Sequence, residues 1–237
     1  MAVKKKAAKT PTKPTKTAKA AKGGVRGRCV ALLRGINLAA HKRMAMKDLV
    51  AVFEKCGCTD IATYIQSGNV VFTAPVCGID AATIEERIAK RFGFEAPVVL
   101  RTAAELEAVI AANPYPKCDQ EKDRPHVSFL AGEPLAENVA LLDPQRSPGD
   151  SFTVLGREVY LLFPTGLANN KLTSQYFDSR LKTIGTARNW RTVLALRDMA
   201  RRRSSRHRLT VYVTAPASAG ACEQKRKSPA AFRGRAF

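Results

Sequence analysis

Residues 29–37 read CVALLRGIN, and residues 64–72 read YIQSGNVVF. In each stretch an apolar run typical of a buried β-strand meets a short polar loop that contains a glycine. Such a loop is typical of a tight turn, and it is equally typical of a ligand site. The polar residues that these two loops contribute are Arg34, Asn37, Gln66, Ser67 and Asn69.

The residues around these two stretches alternate between strand and helix patterns. Apolar residues at 46, 49, 50 and 53 predict an amphipathic helix over about 45–56. Strands are predicted at 28–34, 60–66 and 69–74, and Ser67-Gly68 predicts a two-residue hairpin between the last two. Asp80 can cap a helix that continues to about Phe92, and a short strand follows at 97–101. The order β-α-β-β-α-β predicts a ferredoxin-like plait.

A second unit with the same order follows. Thr102 and Glu105 form a capping-box pattern that opens a helix. The later predictions are a strand at 126–130, helices at 134–142 and about 169–181 (capped by Asn169 or Asn170), a hairpin over 151–163, a strand near 184–188 and a last helix at 190–200. We therefore expect an α+β protein of two packed ferredoxin-like subdomains, 25–103 and 104–200.

The formal net charge of +20 lies mainly in the two ends of the chain. Residues 1–24 contain eight lysines and no acidic residue, and residues 201–237 contain ten basic residues and one acidic residue. The remaining residues, 25–200, carry a net charge of only +3. Both ends are poor in residues that could form a core, so we expect disordered basic tails. Lys and Arg tails can bind nucleic-acid phosphates without sequence preference, and the candidates are Lys4, Lys5, Lys6, Lys9, Arg201, Arg202 and Arg203.

The composition also argues against several classes of protein. No stretch is long and apolar enough to span a bilayer, and the N-terminus lacks the apolar core of a secretory signal, so a cytoplasmic protein is expected. The six cysteines have no CxxC pair and the three histidines are scattered, so no metal or other cofactor is predicted. The common hydrolase, P-loop, zinc-protease and dinucleotide-binding motifs do not occur.

The predicted plait brings the two opening loops to one edge of the first sheet. There Arg34 could bind a carboxylate or phosphate, and Asn37, Gln66, Ser67 and Asn69 could donate or accept hydrogen bonds. Alternatively, the same side chains serve only to hold the loops. In the second unit the corresponding candidates are Lys171, Arg188, Asn189 and Trp190. Asn189 could instead cap the last helix, and Trp190 could belong to the core or pack between the units.

Four stretches resemble the domain-of-unknown-function family 1697 (DUF 1697). They are the two loops quoted above, KLT at 171–173 and TARNW at 186–190. The resemblance extends over about 25–200 and implies two ferredoxin-like subdomains, but it implies no established activity. The glycines that usually follow the first loop in that family are replaced here by Leu38, Ala39 and Ala40.

Two functional hypotheses follow. The first is a non-enzymatic binding protein that associates non-specifically with nucleic acid through its basic tails. The second is an enzyme or a small anionic-ligand-binding protein that uses the edge formed by Arg34, Gln66 and Asn69. The sequence does not decide whether any reaction is catalysed.

Overall fold

The computed structural model describes residues 24–38, 42–168 and 170–202. Its first unit (28–102) consists of β1 (Arg28–Leu33), α1 (Met46–Lys55), β2 (Thr59–Tyr64), β3 (Asn69–Thr73), α2 (Ala81–Phe92) and β4 (Val98–Thr102). Local chemistry sets the bounds of α2: the Asp80 carboxylate accepts a hydrogen bond from the Thr83 amide at 2.8 Å. Gly93, at φ 75°, ends the helix in the left-handed conformation that glycine adopts without strain.

Helix α3 (Ala103–Ala111) follows β4 directly, and the predicted capping box between Thr102 and Glu105 is present. The second unit (126–189) consists of β5 (His126–Leu130), α4 (Ala136–Ala140), β6 (Ser151–Leu155), β7 (Glu158–Leu162), α5 (Ser174–Leu181) and β8 (Gly185–Asn189). Helix α6 (Trp190–Arg201) follows β8 in the same way that α3 follows β4.

Each unit forms a four-stranded antiparallel sheet. The strand order is β2-β3-β1-β4 in the first sheet and β6-β7-β5-β8 in the second, so the two orders correspond strand by strand. In both sheets the first strand of the unit pairs with the last, with Val30 opposite Arg101 and Val127 opposite Arg188. The α+β class is confirmed, and this arrangement is consistent with the two predicted ferredoxin-like units.

The buried residues form three clusters in layers. Helices α1 and α2 cover the outer face of the first sheet, where Phe53 and Ile84 are fully buried. A middle cluster joins both sheets through α3 and α6, with Leu32 and Val71 from the first sheet and Phe129 from the second. Helices α4 and α5 cover the outer face of the second sheet. Because β1 is buried on both faces, its sequence reads as a continuous apolar run.

Local details differ from the predictions at three places. Helix α4 (Ala136–Ala140) is shorter at both ends than the predicted 134–142. The connection between β2 and β3 contains four residues, 65–68, rather than the predicted Ser67-Gly68 pair, because Ile65 leaves the strand with a positive φ of 49°. Helix α5 starts at Ser174, and its N-cap is Thr173 rather than Asn169 or Asn170. Thr173 lies directly before the helix, and its hydroxyl accepts a hydrogen bond from the Tyr176 amide at 3.2 Å.

Candidate functional site

The end of β1 and the turn between β2 and β3 lie side by side, which forms the edge expected from the sequence. The Leu33 amide donates a hydrogen bond to the Gly68 carbonyl at 2.8 Å. Gly68 has a φ of 77°, and a Cβ atom there would lie 2.7 Å from the Leu33 Cβ. Glycine is therefore required at this position both by conformation and by the close approach of the two segments.

Asn37 holds the loop that follows β1. Its side-chain amide donates to the Met44 carbonyl at 3.1 Å and to the Gln66 carbonyl at 2.9 Å, and its carbonyl oxygen accepts from the Met44 amide at 2.7 Å. These bonds satisfy most of the hydrogen-bonding capacity of the side chain. Gln66 takes part through its backbone, and its side chain remains exposed.

Arg188 reaches from β8 of the second unit into this edge of the first unit. Its Nε atom donates to Asn69 Oδ1 at 2.5 Å, and its Nη2 atom donates to the carbonyls of Leu33 at 2.6 Å and Ser67 at 3.3 Å. Its Nη1 atom donates to Thr186 Oγ1 and to the Ala187 carbonyl, both at 2.8 Å. All five N–H groups of the guanidinium are therefore used within the protein.

The charge of Arg188 is buried without a carboxylate among these partners. Burial lowers the pKa of its guanidinium to about 10, so the group still carries its charge at neutral pH. Asn69, which is fully buried, also donates to the Tyr64 carbonyl at 3.2 Å and to the Ser67 hydroxyl at 2.8 Å. Arg188, Asn69 and Ser67 thus form one hydrogen-bond network that joins the two units.

Arg34 also bonds across the two units. Its Nη1 atom forms an ion pair with Asp178 of α5, and both side chains are about one-quarter exposed. The other carboxylate oxygen of Asp178 accepts from the Gly185 amide at 2.9 Å, which fixes its position at the start of β8. Asp178 therefore neutralises the cation that the sequence analysis assigned to an anionic ligand.

The remaining candidate residues of the second unit, Asn189, Trp190 and Lys171, lie in three different environments. Asn189 is the N-cap of α6, with its carbonyl oxygen accepting from the Thr192 amide at 2.8 Å. Trp190 is buried in the middle cluster between the two sheets. Lys171 is exposed, and its backbone contacts Arg146 and Ser147 rather than the Arg188 network.

Arg101 is a second buried arginine that joins the two units, and the sequence analysis did not predict it. From β4 of the first unit it reaches into the second, where Nη2 donates to the carbonyls of Leu130 at 2.8 Å and Arg157 at 3.1 Å. Its Nε atom donates to Glu158 at 2.9 Å, and the guanidinium lies 5.6 Å from the centroid of the Phe129 ring. The sequence did contain a signal for this role. Arg101 lies directly before the N-cap residue of α3, just as Arg188 lies directly before the N-cap residue of α6.

A small cavity opens beside Trp190 and Asn189. It has a volume of about 270 Å³, and Arg124, His126 and Arg191 also line it. The His126 Nδ1 atom lies 2.7 Å from the Arg124 carbonyl, so it carries the proton and donates, which leaves Nε2 as an acceptor. Burial lowers the pKa of His126 and therefore favours this neutral form.

The two buried cysteines, Cys29 and Cys58, show no sign of activation. Burial raises the pKa of the Cys29 thiol to about 11 and that of the Cys58 thiol to about 12. A nucleophilic cysteine needs the opposite shift, so both thiols act as small apolar core residues. Within the described ranges no group of three or more His, Cys, Asp or Glu side chains could hold a metal ion. No helix in the same ranges has the length and apolar character needed to cross a membrane.

The tail candidates fall at the limits of the described chain. Arg201 ends α6 and forms an ion pair with Glu107 of α3. Arg202 follows it as the C-cap residue. Lys4, Lys5, Lys6, Lys9 and Arg203 lie outside the described residues, as do Ala39, Ala40 and Asn169.

Comparison with protein families gives one assignment. A family model described as a protein of unknown function, DUF1697, matches residues 27–160, more than half of the chain. The chain belongs to the DUF1697 family. The loops at 29–37 and 64–72 lie inside this match, whereas the stretches at 171–173 and 186–190 lie beyond it.

Comparison with solved structures shows that the DUF1697 chain has a known fold. The conserved bacterial protein SP0830 from Streptococcus pneumoniae is 20% identical and has a TM-score of 0.56, with 74% of this chain and 99% of that chain covered. At this level of identity the similarity shows a shared fold alone. Among curated proteins, none matches this chain.

Proposed function

We propose that this DUF1697 protein is a non-enzymatic binding protein that associates with nucleic acid through its basic tails. The observation that carries the proposal is the distribution of charge. Arg201 ends α6 and is paired with Glu107. Without it, the tails 1–24 and 202–237 still supply +16 of the net +20, and the chain between them is almost balanced. Such tails release counterions from a phosphate backbone, and that release favours binding to any sequence.

The geometry of the predicted edge favours the tails over this edge as the place of binding. Arg34 is paired with Asp178, and Arg188, Asn69 and Asn37 use their hydrogen bonds to hold the two units and the loop together. An active site needs polar groups that converge on a substrate rather than on one another. The alternative function, an enzyme or a small anionic-ligand-binding protein at Arg34, Gln66 and Asn69, would have to break these contacts.

We also propose that the two units are ferredoxin-like plaits that serve as one rigid carrier for the tails. The matching strand orders and the middle cluster shared by both sheets support this. On this proposal the domains are 25–103 and 104–200, and they act together in a cytoplasmic protein that needs no cofactor.

The experiment compares full-length variants for binding to a short duplex DNA over a series of salt concentrations. In one variant all eight lysines of 1–24 are changed to glutamine, and in its matched control the same eight are changed to arginine. The log–log salt slope is expected to flatten by about 0.9 for each duplex phosphate that the lysines no longer neutralise. The arginine control should keep the slope, because it keeps every charge.

The result should also be insensitive to the DNA sequence, since tail residues contact the backbone rather than base edges. Unchanged binding by the glutamine variant, or a clear preference for one sequence, would contradict the tail mechanism.

A further inference from the structure

A groove with a basic lining lies between α1 and α2. It has a volume of about 380 Å³, and its charged lining consists of Asp48, Lys55, Arg87, Lys90 and Arg91. Asp48 Oδ1 lies 3.2 Å from Arg91 Nη2, so this carboxylate neutralises Arg91. Asp48 lies near the start of α1, and Arg91 lies near the end of α2. The two helices are therefore antiparallel, and the groove runs between them.

Three cations of this groove remain available to a partner. Lys55, Arg87 and Lys90 are exposed, and among the described residues none of them forms an ion pair. They belong to two different helices, so only the tertiary structure brings them close together. The first subdomain (25–103) has eleven basic and seven acidic residues, whereas the second (104–200) has eleven basic and twelve acidic residues. The excess positive charge of the folded part thus belongs to the unit that carries the groove.

We infer that this groove is a second nucleic-acid contact, at which Lys55, Arg87 and Lys90 bind the phosphate backbone. This inference rests on the proposed function and adds a fixed contact on the folded part to the contacts of the tails. The groove is open, and only Ala51 and Val52 form its apolar floor. Long, solvated side chains around an open groove suit a phosphate chain better than a small ligand, which needs enclosure and convergent donors.

The chemistry of the groove also predicts how the nucleic acid is bound. Of the described residues that line it, none is aromatic, so it offers no platform on which bases could stack. Its cations would therefore contact phosphates and would not read sequence.

The point at which the described chain begins is compatible with joint binding by the N-terminal tail and the groove. Val25 forms an isolated β-bridge with Ile79, and its amide donates to the Ile79 carbonyl at 2.7 Å. Ile79 lies two residues before the start of α2. The described chain thus begins beside the end of α2 that is opposite Arg91, on the same unit as the groove. The eight lysines precede this point in the sequence.

The test is a triple variant of the full chain, with Lys55→Gln, Arg87→Gln and Lys90→Gln. The matched control changes Lys117, Arg180 and Lys182 to glutamine. These are three exposed cations of the second subdomain (104–200), and their loss lowers the net charge equally. Binding to a short duplex DNA is measured at several salt concentrations. The slope of the groove variant should flatten by about 1 per contact, hence about 3 in all, while the control keeps the wild-type slope.

The outcomes separate the two proposals. If wild type binds DNA and the groove variant behaves like the control variant, the groove inference is wrong and the tail proposal stands. If wild type does not bind DNA at all, the proposed function itself fails. If the groove variant loses binding to anionic vesicles or polyglutamate but keeps its DNA slope, the partner is not nucleic acid. Equal thermal midpoints of both variants would show that the change lies in binding rather than in folding.

Discussion

The two units exchange one buried arginine each, and the two arginines differ in what balances their charge. Arg101 donates to the carbonyl of Leu130 in the second unit, and Arg188 donates to the carbonyl of Leu33 in the first. Arg101 donates to the carboxylate of Glu158, the first residue of β7. Arg188 donates instead to the neutral amide of Asn69, the first residue of β3 and thus the corresponding position of the first unit. The comparison shows that similar geometry at the two contacts is achieved with an ion pair in one case and with hydrogen bonds from a charged arginine to neutral acceptors in the other.

The outer layers of the two units differ as well. Helix α1 buries five of its ten residues against the first sheet, whereas α4 has five residues and buries none. The first unit therefore has the larger outer core, and the second depends more on α5 and on the middle cluster shared with the first.

The largest expected effect tests this difference between the outer layers. Phe53→Ala removes a fully buried ring that packs on Phe72, with the two ring centroids 5.0 Å apart. The free energy of unfolding of the protein should therefore fall by about 3–5 kcal/mol. Val139→Ala on α4 should cost less than about 1 kcal/mol, because Val139 is only partly buried. Urea unfolding of both variants measures the two values, and equal losses would contradict the inequality between the outer cores.

The second prediction separates the two arginines. Arg101→Met leaves Glu158, a largely buried carboxylate, without its cation and should cost about 3 kcal/mol. Arg188→Met leaves only neutral carbonyl, amide and hydroxyl acceptors unpaired and should cost about 1–3 kcal/mol. The free energies of unfolding of the two variants show which substitution destabilises the protein more. The exposed Arg180→Met is the control.

A double substitution sharpens the same comparison. Changing Glu158 to Leu in the Arg101→Met background should recover much of the loss, because it removes the buried charge that was left unpaired. Changing Asn69 to Leu in the Arg188→Met background should not, since Asn69 also holds Tyr64 and Ser67. Recovery in both backgrounds, or in neither, would show that the two contacts are energetically alike.

The smallest expected effect concerns the caps of α3 and α6, which follow the two arginines. Burial acts to raise the pKa of Glu105, but hydrogen bonds from Thr102 and the charge of Arg157 outweigh it, so the pKa is lowered. A lowered folded-state pKa means that the contribution of Glu105 to stability is present above its unfolded-state pKa and is lost as the pH falls through the folded value. The N3 position of α6 is Thr192, which does not titrate.

Glu105→Gln should therefore destabilise the protein at pH 7 and have no effect in acid. Because Glu105 is more than one-third exposed, solvent screening limits the loss to about 0.5 kcal/mol. Unfolding measured from pH 7 down to pH values below the carboxylate range checks this, with the exposed Glu54→Gln as the control. A difference that grows as the pH falls would mean that the sign is wrong.

Much of the fold follows from periodicity and from local capping chemistry. The apolar run at 29–33 and the spacing of Met46, Leu49 and Phe53 predict β1 and α1, and the Thr102–Glu105 pattern marks the start of α3. The turn at 65–68 and the start of α5 were misplaced by a few residues. Boundaries of this kind depend on single residues, such as the positive φ of Ile65, which a propensity pattern does not contain.

The sequence by itself determined the succession of strands and helices, the concentration of charge in the tails and the polar character of the two loops. These properties depend on neighbouring residues or on composition, so they can be read along the chain. Only the tertiary structure decided that Arg188 and Asn69 join the two units, that Asp178 neutralises Arg34, and that Lys55, Arg87 and Lys90 share a groove. The partners of Arg188 in the first unit and the carboxylate partner of Arg34 lie more than a hundred residues away along the chain. A charged side chain acquires its role from the partners that folding places beside it.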